Sequence, residues 1–146
     1  MDKSKQGTEL LIWDSSKQIN AKQNNLIYWK NYDTDEDNQI FSISQIVEND
    51  AENLRLLYLK LIYDLGNSKI DGKSITDFLE LRPNFSFWWM TLLSEKCNYA
   101  KSPQINNIIK LIAFEIWLKT QHYQNITIVS GSSQLIEAIE LLANKL

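Results

Sequence analysis

Trp88, Trp89, Glu95, Lys101, Ser102 and Glu115 bring two large aromatic rings, two carboxylates, an amine and a hydroxyl into one region of the chain. A carboxylate beside an aromatic face suits sugar recognition, because a pyranose offers hydroxyls at its rim and an apolar C–H face. These residues are expected to converge on one concavity near the start of a helix at 103–120 and to bind substrate there. Each also has a plainer role. Adjacent helical residues diverge by roughly 100°. One of Trp88 and Trp89 should therefore pack inward while the other meets a cleft, an interface or a membrane surface. Glu95 could hydrogen-bond a sugar hydroxyl, act as a base, or pair with Lys96 or Lys101. Lys101 precedes Ser102-Pro103 at a helix start, where a cation opposes the dipole. Glu115 interrupts an apolar helix, and burial there would raise its pKa and demand a partner such as Lys96 or Lys101.

A second constellation is Ser130-Gly131-Ser132, which follows the β-branched run Ile126-Thr127-Ile128-Val129 and precedes an amphipathic helix. A small-residue turn at a helix start can offer backbone N–H groups to a phosphate or carboxylate. The stretch lacks a P-loop lysine and the full dinucleotide fingerprint, so a plain βα turn with a serine cap remains the simpler reading. Cys97 reads as a small packed side chain rather than a nucleophile, and with a single histidine, His122, no multi-histidine metal site can form. No metal site and no cofactor are expected in this portion. The acidic run Asp33-Thr34-Asp35-Glu36-Asp37-Asn38 lacks the glycine and terminal glutamate of a calcium loop and reads as solvated.

The elements that must position these residues follow from periodicity and caps. Apolar runs at 9–13, 25–29, 40–43 and 126–130 predict short strands. Leu54, Leu57, Tyr58, Leu61 and Leu65 recur at helical spacing over 50–65, with Gly66 placed as a helix-ending glycine. Ser74-Ile75-Thr76-Asp77 resembles a capping box opening a short helix to Leu81, which Arg82-Pro83-Asn84 breaks. Ser86 and Ser102 are N-cap candidates for helices at 86–98 and 103–120, and a last helix spans 133–145. A strand, a small-residue turn and a helix at the end of the chain form the beginning of a Rossmann-like repeat. The fold class is thus α/β and Rossmann-like, a small parallel sheet holding 9–13 and 126–130 with several helices. Residues 1–8 read as a flexible tail and 9–146 as one α/β domain. A parallel sheet calls for a further strand after the last helix. The chain therefore reads as the incomplete amino-terminal part of a longer α/β protein, with an apolar stripe of Leu135, Ile139, Leu142 and Leu146 left exposed, or else as a small sheet with many helices.

Composition narrows the class. The 146 residues are 44% hydrophobic and 23% charged, ordinary for a globular protein, and five tryptophans favour large packed surfaces or a ligand platform. A net charge of −3 argues against a nucleic-acid partner. The polar start carries no signal-peptide core, and no apolar run is long enough to span a bilayer. The lone cysteine suits a reducing compartment, so the chain reads as cytoplasmic.

Several stretches then carry a resemblance. Tyr28-Trp29-Lys30-Asn31-Tyr32, Tyr63-Asp64-Leu65-Gly66, Asn84-Phe85-Ser86-Phe87-Trp88-Trp89-Met90-Thr91-Leu92-Leu93-Ser94-Glu95-Lys96, Lys101-Ser102-Pro103, Ile109-Lys110-Leu111 and Phe114-Glu115 resemble a family of bacterial surface-carbohydrate biosynthesis proteins. Its members are associated with O-antigen and lipopolysaccharide assembly. The likeness covers about residues 26–120 and fades through 126–145. It implies a glycosyltransferase-like transferase of which this chain is the acceptor-side, amino-terminal part, inactive alone. It further implies a nucleotide sugar as substrate of the full-length protein, and a carbohydrate or lipid-linked sugar acceptor. A carboxy-terminal domain is the expected partner, with peripheral association at the inner membrane. No catalytic residue carries over. The competing expectation is a non-catalytic α/β interaction module that docks a partner enzyme through the Trp88-Trp89 helix.

Overall fold

Leu10, Ile12 and Asp14 alternate with less buried neighbours along the first strand, β1 (Glu9–Asp14), so one row of its side chains faces the interior. The computed structural model describes residues 9–17, 19, 25–94 and 102–145. β1 pairs in parallel with β2 (Leu26–Tyr28) on one side and β8 (Asn125–Ser130) on the other, and β2 pairs in parallel with β3 (Ile40–Ser42). The result is an all-parallel, four-stranded sheet in the order β3-β2-β1-β8. Its interior strands carry Leu10, Ile12, Leu26 and Ile27, all buried, as parallel sheets covered on both faces require. The expected pairing of 9–13 with 126–130 in one parallel sheet is therefore present, and the fold is α/β and Rossmann-like.

Between β3 and β8 the chain forms α1 (Ile43–Asn49), α2 (Ala51–Asn67), β4 (Lys69–Ile70), β5 (Lys73–Ser74), α3 (Ile75–Phe78), β6 (Glu80–Arg82), β7 (Phe85–Ser86), a 3₁₀ turn (Phe87–Met90) and α4 (Pro103–Leu118). After β8 comes α5 (Ser133–Lys145). Two compact units result. One comprises the residues through Asp50 and those from Ala113 onward, including the parallel sheet, and the other comprises Ala51–Ile112. In the first unit Phe114 lies edge-on to Trp29 and stacks with Trp117, which meets Phe41 at 5.1 Å between ring centroids. This aromatic cluster and the apolar rows of β1 and β2 form that unit's core.

Several expectations need correction. The helix expected at 86–98 is a 3₁₀ turn over Phe87–Met90, after which 91–94 turn without helix and 95–98 lie outside the described residues. Ser86 still caps it, accepting from the Trp88 N–H at 3.3 Å, while its own hydroxyl donates to the Thr76 carbonyl at 2.7 Å. That second bond ties Ser86 to α3, and beyond the turn the Trp88 carbonyl accepts from Thr91 Oγ1 at 2.7 Å and Ser94 Oγ at 2.6 Å, side-chain bonds that compete with the amide of a helical continuation. Gly66 does not end α2 but lies inside it, buried. α3 closes at Phe78 rather than Leu81, because Glu80–Arg82 pairs in antiparallel fashion with Phe85–Ser86 around Asn84, whose φ is 63°. The stripe expected to stay exposed on α5 is half wrong: Leu135 and Ile139 are buried and Leu142 is half-buried, while Leu146 lies outside the described residues.

Candidate functional site at the carboxyl edge of the sheet

The chain runs outward from β1 to β2 to β3, then returns to add β8 on the opposite side of β1. Strand order therefore reverses between β1 and β8. In open parallel sheets, the crevice outside the strand carboxyl ends at such a reversal is where ligands bind. Asp14 ends β1 and Ser130 ends β8, and the register sets them directly opposite each other.

Alternation places Asp14 in the same buried row as Leu10 and Ile12, and only 5% of its side chain is exposed. A carboxylate so desolvated needs partners. Ser130 Oγ donates to Asp14 Oδ2 at 2.5 Å, and Lys30 Nζ stands 2.9 Å from Oδ1. Lys30 follows β2 and also reaches the Asp14 carbonyl at 3.4 Å. Oδ1 has the lysine charge beside it but no well-aligned hydrogen bond, so the ion pair is electrostatic more than directional. The Lys30 side chain is 58% exposed, its ammonium reaching from solvent onto a buried carboxylate.

From Ser130 the polar network enters the βα turn. Ser130 Oγ accepts the Ser132 N–H at 3.0 Å, and Ser132 Oγ accepts the Leu135 N–H at 3.3 Å, capping α5. Gly131 between them is exposed, has no positive φ, and has open space where a side chain would stand. The expected phosphate-binding residues Ser130, Gly131 and Ser132 thus form an ordered turn at the helix start, joined through one carboxylate to a lysine. Sequence reading missed Asp14, taken only as a strand stop, and Lys30. An acidic residue closing a buried strand was the available signal, but the pairing with Ser130 depends on a long-range register.

The aromatic and charged constellation is distributed differently. Trp88 is buried at 5% exposure and Trp89 is 52% exposed, the one-in, one-out division expected of neighbours, though on a 3₁₀ turn. Both belong to the second unit and Glu115 to the first. Glu95 and Lys101, with Lys96 and Cys97, lie outside the described residues. Ser102 precedes α4, its hydroxyl donating to Gln104 Oε1 at 3.1 Å while its carbonyl accepts the Asn106 N–H. Glu115 pairs with Lys119 at 2.8 Å and with Lys145 of α5 at 3.7 Å. Its pKa lies below the ordinary value, chiefly through the Lys119 hydrogen bond; desolvation pushes the other way, and the charges of Lys119 and Lys145 add to the lowering. The expected upward shift is thereby reversed.

Among the described residues, no group of three or more His, Cys, Asp or Glu side chains is placed to hold a metal, and no helix is long and apolar enough to cross a membrane. The architecture and its edge cluster define a Rossmann-like α/β protein. The chain matches no family model, no curated protein and no solved structure.

Proposed function

We propose that this chain serves surface polysaccharide (O-antigen or lipopolysaccharide) biosynthesis as the acceptor-side portion of a glycosyltransferase-like protein. The observation that supports this reading best is the reversal of strand order between β1 and β8, with Asp14, Lys30 and Ser130 gathered at the carboxyl edge. Rossmann-like sheets host many chemistries, so the fold alone names none. The residue resemblance over 26–120 supplies the polysaccharide context. In this reading the nucleotide sugar is a substrate of the full-length protein and the acceptor is a carbohydrate or a lipid-linked sugar. The chain alone transfers nothing.

The test is made in bacterial cells producing the full-length protein. Deleting its gene should remove or shorten the surface polysaccharide seen on gels, and wild-type protein should restore it. Polysaccharide unchanged by the deletion overturns the reading.

A second reading, an interaction module, draws on the exposure of Phe87, Trp89 and Met90 around the buried Trp88. Runs of exposed large apolar side chains mark contact surfaces. Trp89→Ser separates the two. Lost polysaccharide with Trp89→Ser, beside full production with Gly131→Ala, favours the module.

A further inference from the structure

We propose that β8 pairs with β8 of a second copy of this chain, antiparallel about a two-fold axis at Thr127, so that two four-stranded sheets join into one. The pairing rests on the two edges of the sheet and is independent of the transfer chemistry proposed above.

Those edges are built differently. β3 is three residues long, runs directly into α1, and has its Ile40 bridged by Asp35 from the acidic run. Short length and nearby charge keep a sheet edge from pairing with another chain. β8 carries neither device. It is six residues long, pairs with β1 at every position from Asn125 to Ser130 without a bulge, and holds no charged residue, proline or glycine. Among the described residues no strand lies beyond it, which leaves a row of backbone N–H and C=O groups facing outward.

The side chains of β8 are open in the same direction. Ile126 and Ile128 stand opposite Leu10 and Ile12, in one row on one face of the sheet. Leu10 and Ile12 are fully buried, whereas both isoleucines are half-buried, although α5 packs on β8. A row closed at β1 and open at β8 lacks its next neighbour within the sheet. What fits there is a strand that brings apolar residues two positions apart to the same face.

A second β8 has those residues at that spacing. Centring the pairing on Thr127 keeps every side chain on its own face and sets Ile126 opposite Ile128 of the second copy, twice. Branched apolar pairs of this kind are the unit of sheet stabilisation. Thr127 then meets Thr127, and Asn125 meets the exposed Val129, so no charge of the strand faces its like. Glu9 accepts from Thr127 Oγ1 at 2.7 Å and stays on the β1 side of it. The two Glu9 backbones lie three strand spacings apart, about 14 Å, beyond the screening length of about 8 Å at physiological ionic strength. Parallel sheets accept an antiparallel strand at an edge. The two-fold contact also closes on itself, leaving only the protected β3 edges outermost. A single pair of six-residue strands is a small contact, under the roughly 1,200 Å² of stable complexes, so the association is weak and reversible.

The test is sedimentation velocity of the full chain from about 5 to about 500 µM, the weak end of interface affinities. Mass should rise from monomer to dimer across the range, and hydrogen exchange of the 125–130 amides should slow with it. Two double variants at exposed positions then probe the register. Asn125→Lys with Val129→Lys sets lysine against lysine at both outer pairs, and Asn125→Glu with Val129→Glu sets glutamate against glutamate. Each alone should weaken association roughly tenfold or more. Mixed in equal amounts, they should form a heterodimer at least as tight as the wild-type dimer. A chain monomeric throughout, assembly beyond the dimer, or a dimer equally tight in both variants overturns the pairing. So does a mixture that stays monomeric while circular dichroism shows both variants folded. Should either variant fail to fold, the wild-type β8 amides decide: exchange that does not slow with concentration overturns the pairing, and exchange that slows as the dimer forms supports it.

Discussion

Gly66 lies against the indole of Trp88: a methyl group at position 66 would stand 2.6 Å from Trp88 Nε1. The contact joins α2 to the 3₁₀ turn within the second unit and accounts for a glycine inside a helix, where it costs about 0.5–1 kcal/mol relative to alanine. Gly66→Ala would recover that amount but would push a buried ring, and overpacking costs about 1–3 kcal/mol. The steric effect should win, giving a net loss of about 1 kcal/mol or more in urea unfolding. A variant as stable as wild type would mean the ring yields freely.

The same substitution should have the opposite sign at Gly131. Open space and a φ outside the positive region leave alanine unstrained there. Restricting the unfolded chain should raise stability by about 0.4–1 kcal/mol. Calorimetry of Gly131→Ala beside Gly66→Ala checks both. Destabilisation by Gly131→Ala would show that the turn needs glycine for its own backbone.

Features set by near neighbours were legible in the sequence, and those set by distant pairing were not. The Ser74–Asp77 capping box forms with both reciprocal bonds, because each partner lies within one helical turn of the other. α5 spans 133–145 as its periodicity predicts. β1 and β8 pair as expected of two apolar or β-branched runs, although β8 leaves none of its side chains fully buried. The hairpin at Ile70-Asp71-Gly72-Lys73 is equally local: Asp71 and Gly72 both have positive φ, as a tight two-residue turn requires of that dipeptide. Asp14 and Lys30 are another matter. Neither differs in type or local spacing from an ordinary strand stop and an ordinary surface lysine. Only the order of strands in the sheet brings them to Ser130. Gly66 misled for the same reason, since a helix-ending glycine and a glycine under a tryptophan look alike until the ring is in place.

Glu115 should contribute to stability in a pH-dependent way. Its folded pKa is depressed below 4.5, first by the Lys119 hydrogen bond and then by the charges of Lys119 and Lys145. A depressed carboxyl stabilises the fold above its unfolded pKa, and that contribution disappears as pH falls through the folded value. Glu115→Gln should therefore be less stable than wild type near neutrality. The two unfolding midpoints should converge as pH is lowered beneath 4.5. Added salt at neutral pH should narrow the gap, because both lysines are largely exposed. A constant difference across the acid range would mean that Glu115 acts through packing instead.

The Asp14–Lys30 pair is asymmetric, and its two single variants should differ in cost. Asp14 is 5% exposed and Lys30 58%. Removing the lysine charge in Lys30→Gln leaves a desolvated carboxylate supported by Ser130 alone. Breaking a fully buried pair costs about 3–5 kcal/mol, and the exposure of Lys30 reduces this to about 2. Asp14→Asn instead leaves an amine that can turn into water, and the new amide oxygen can still accept from Ser130 Oγ. Its cost should be about 1 kcal/mol, the loss of one charge-assisted bond weakened by solvent. Urea midpoints of the two variants at neutral pH measure the difference. If Asp14→Asn proves the costlier, the negative charge of the carboxylate strengthens the Ser130 bond across β1 and β8 more than it answers Lys30. In that case the amine would be set by the backbone carbonyl of Asp14, and Asp14→Asn should leave the position of Lys30 unchanged.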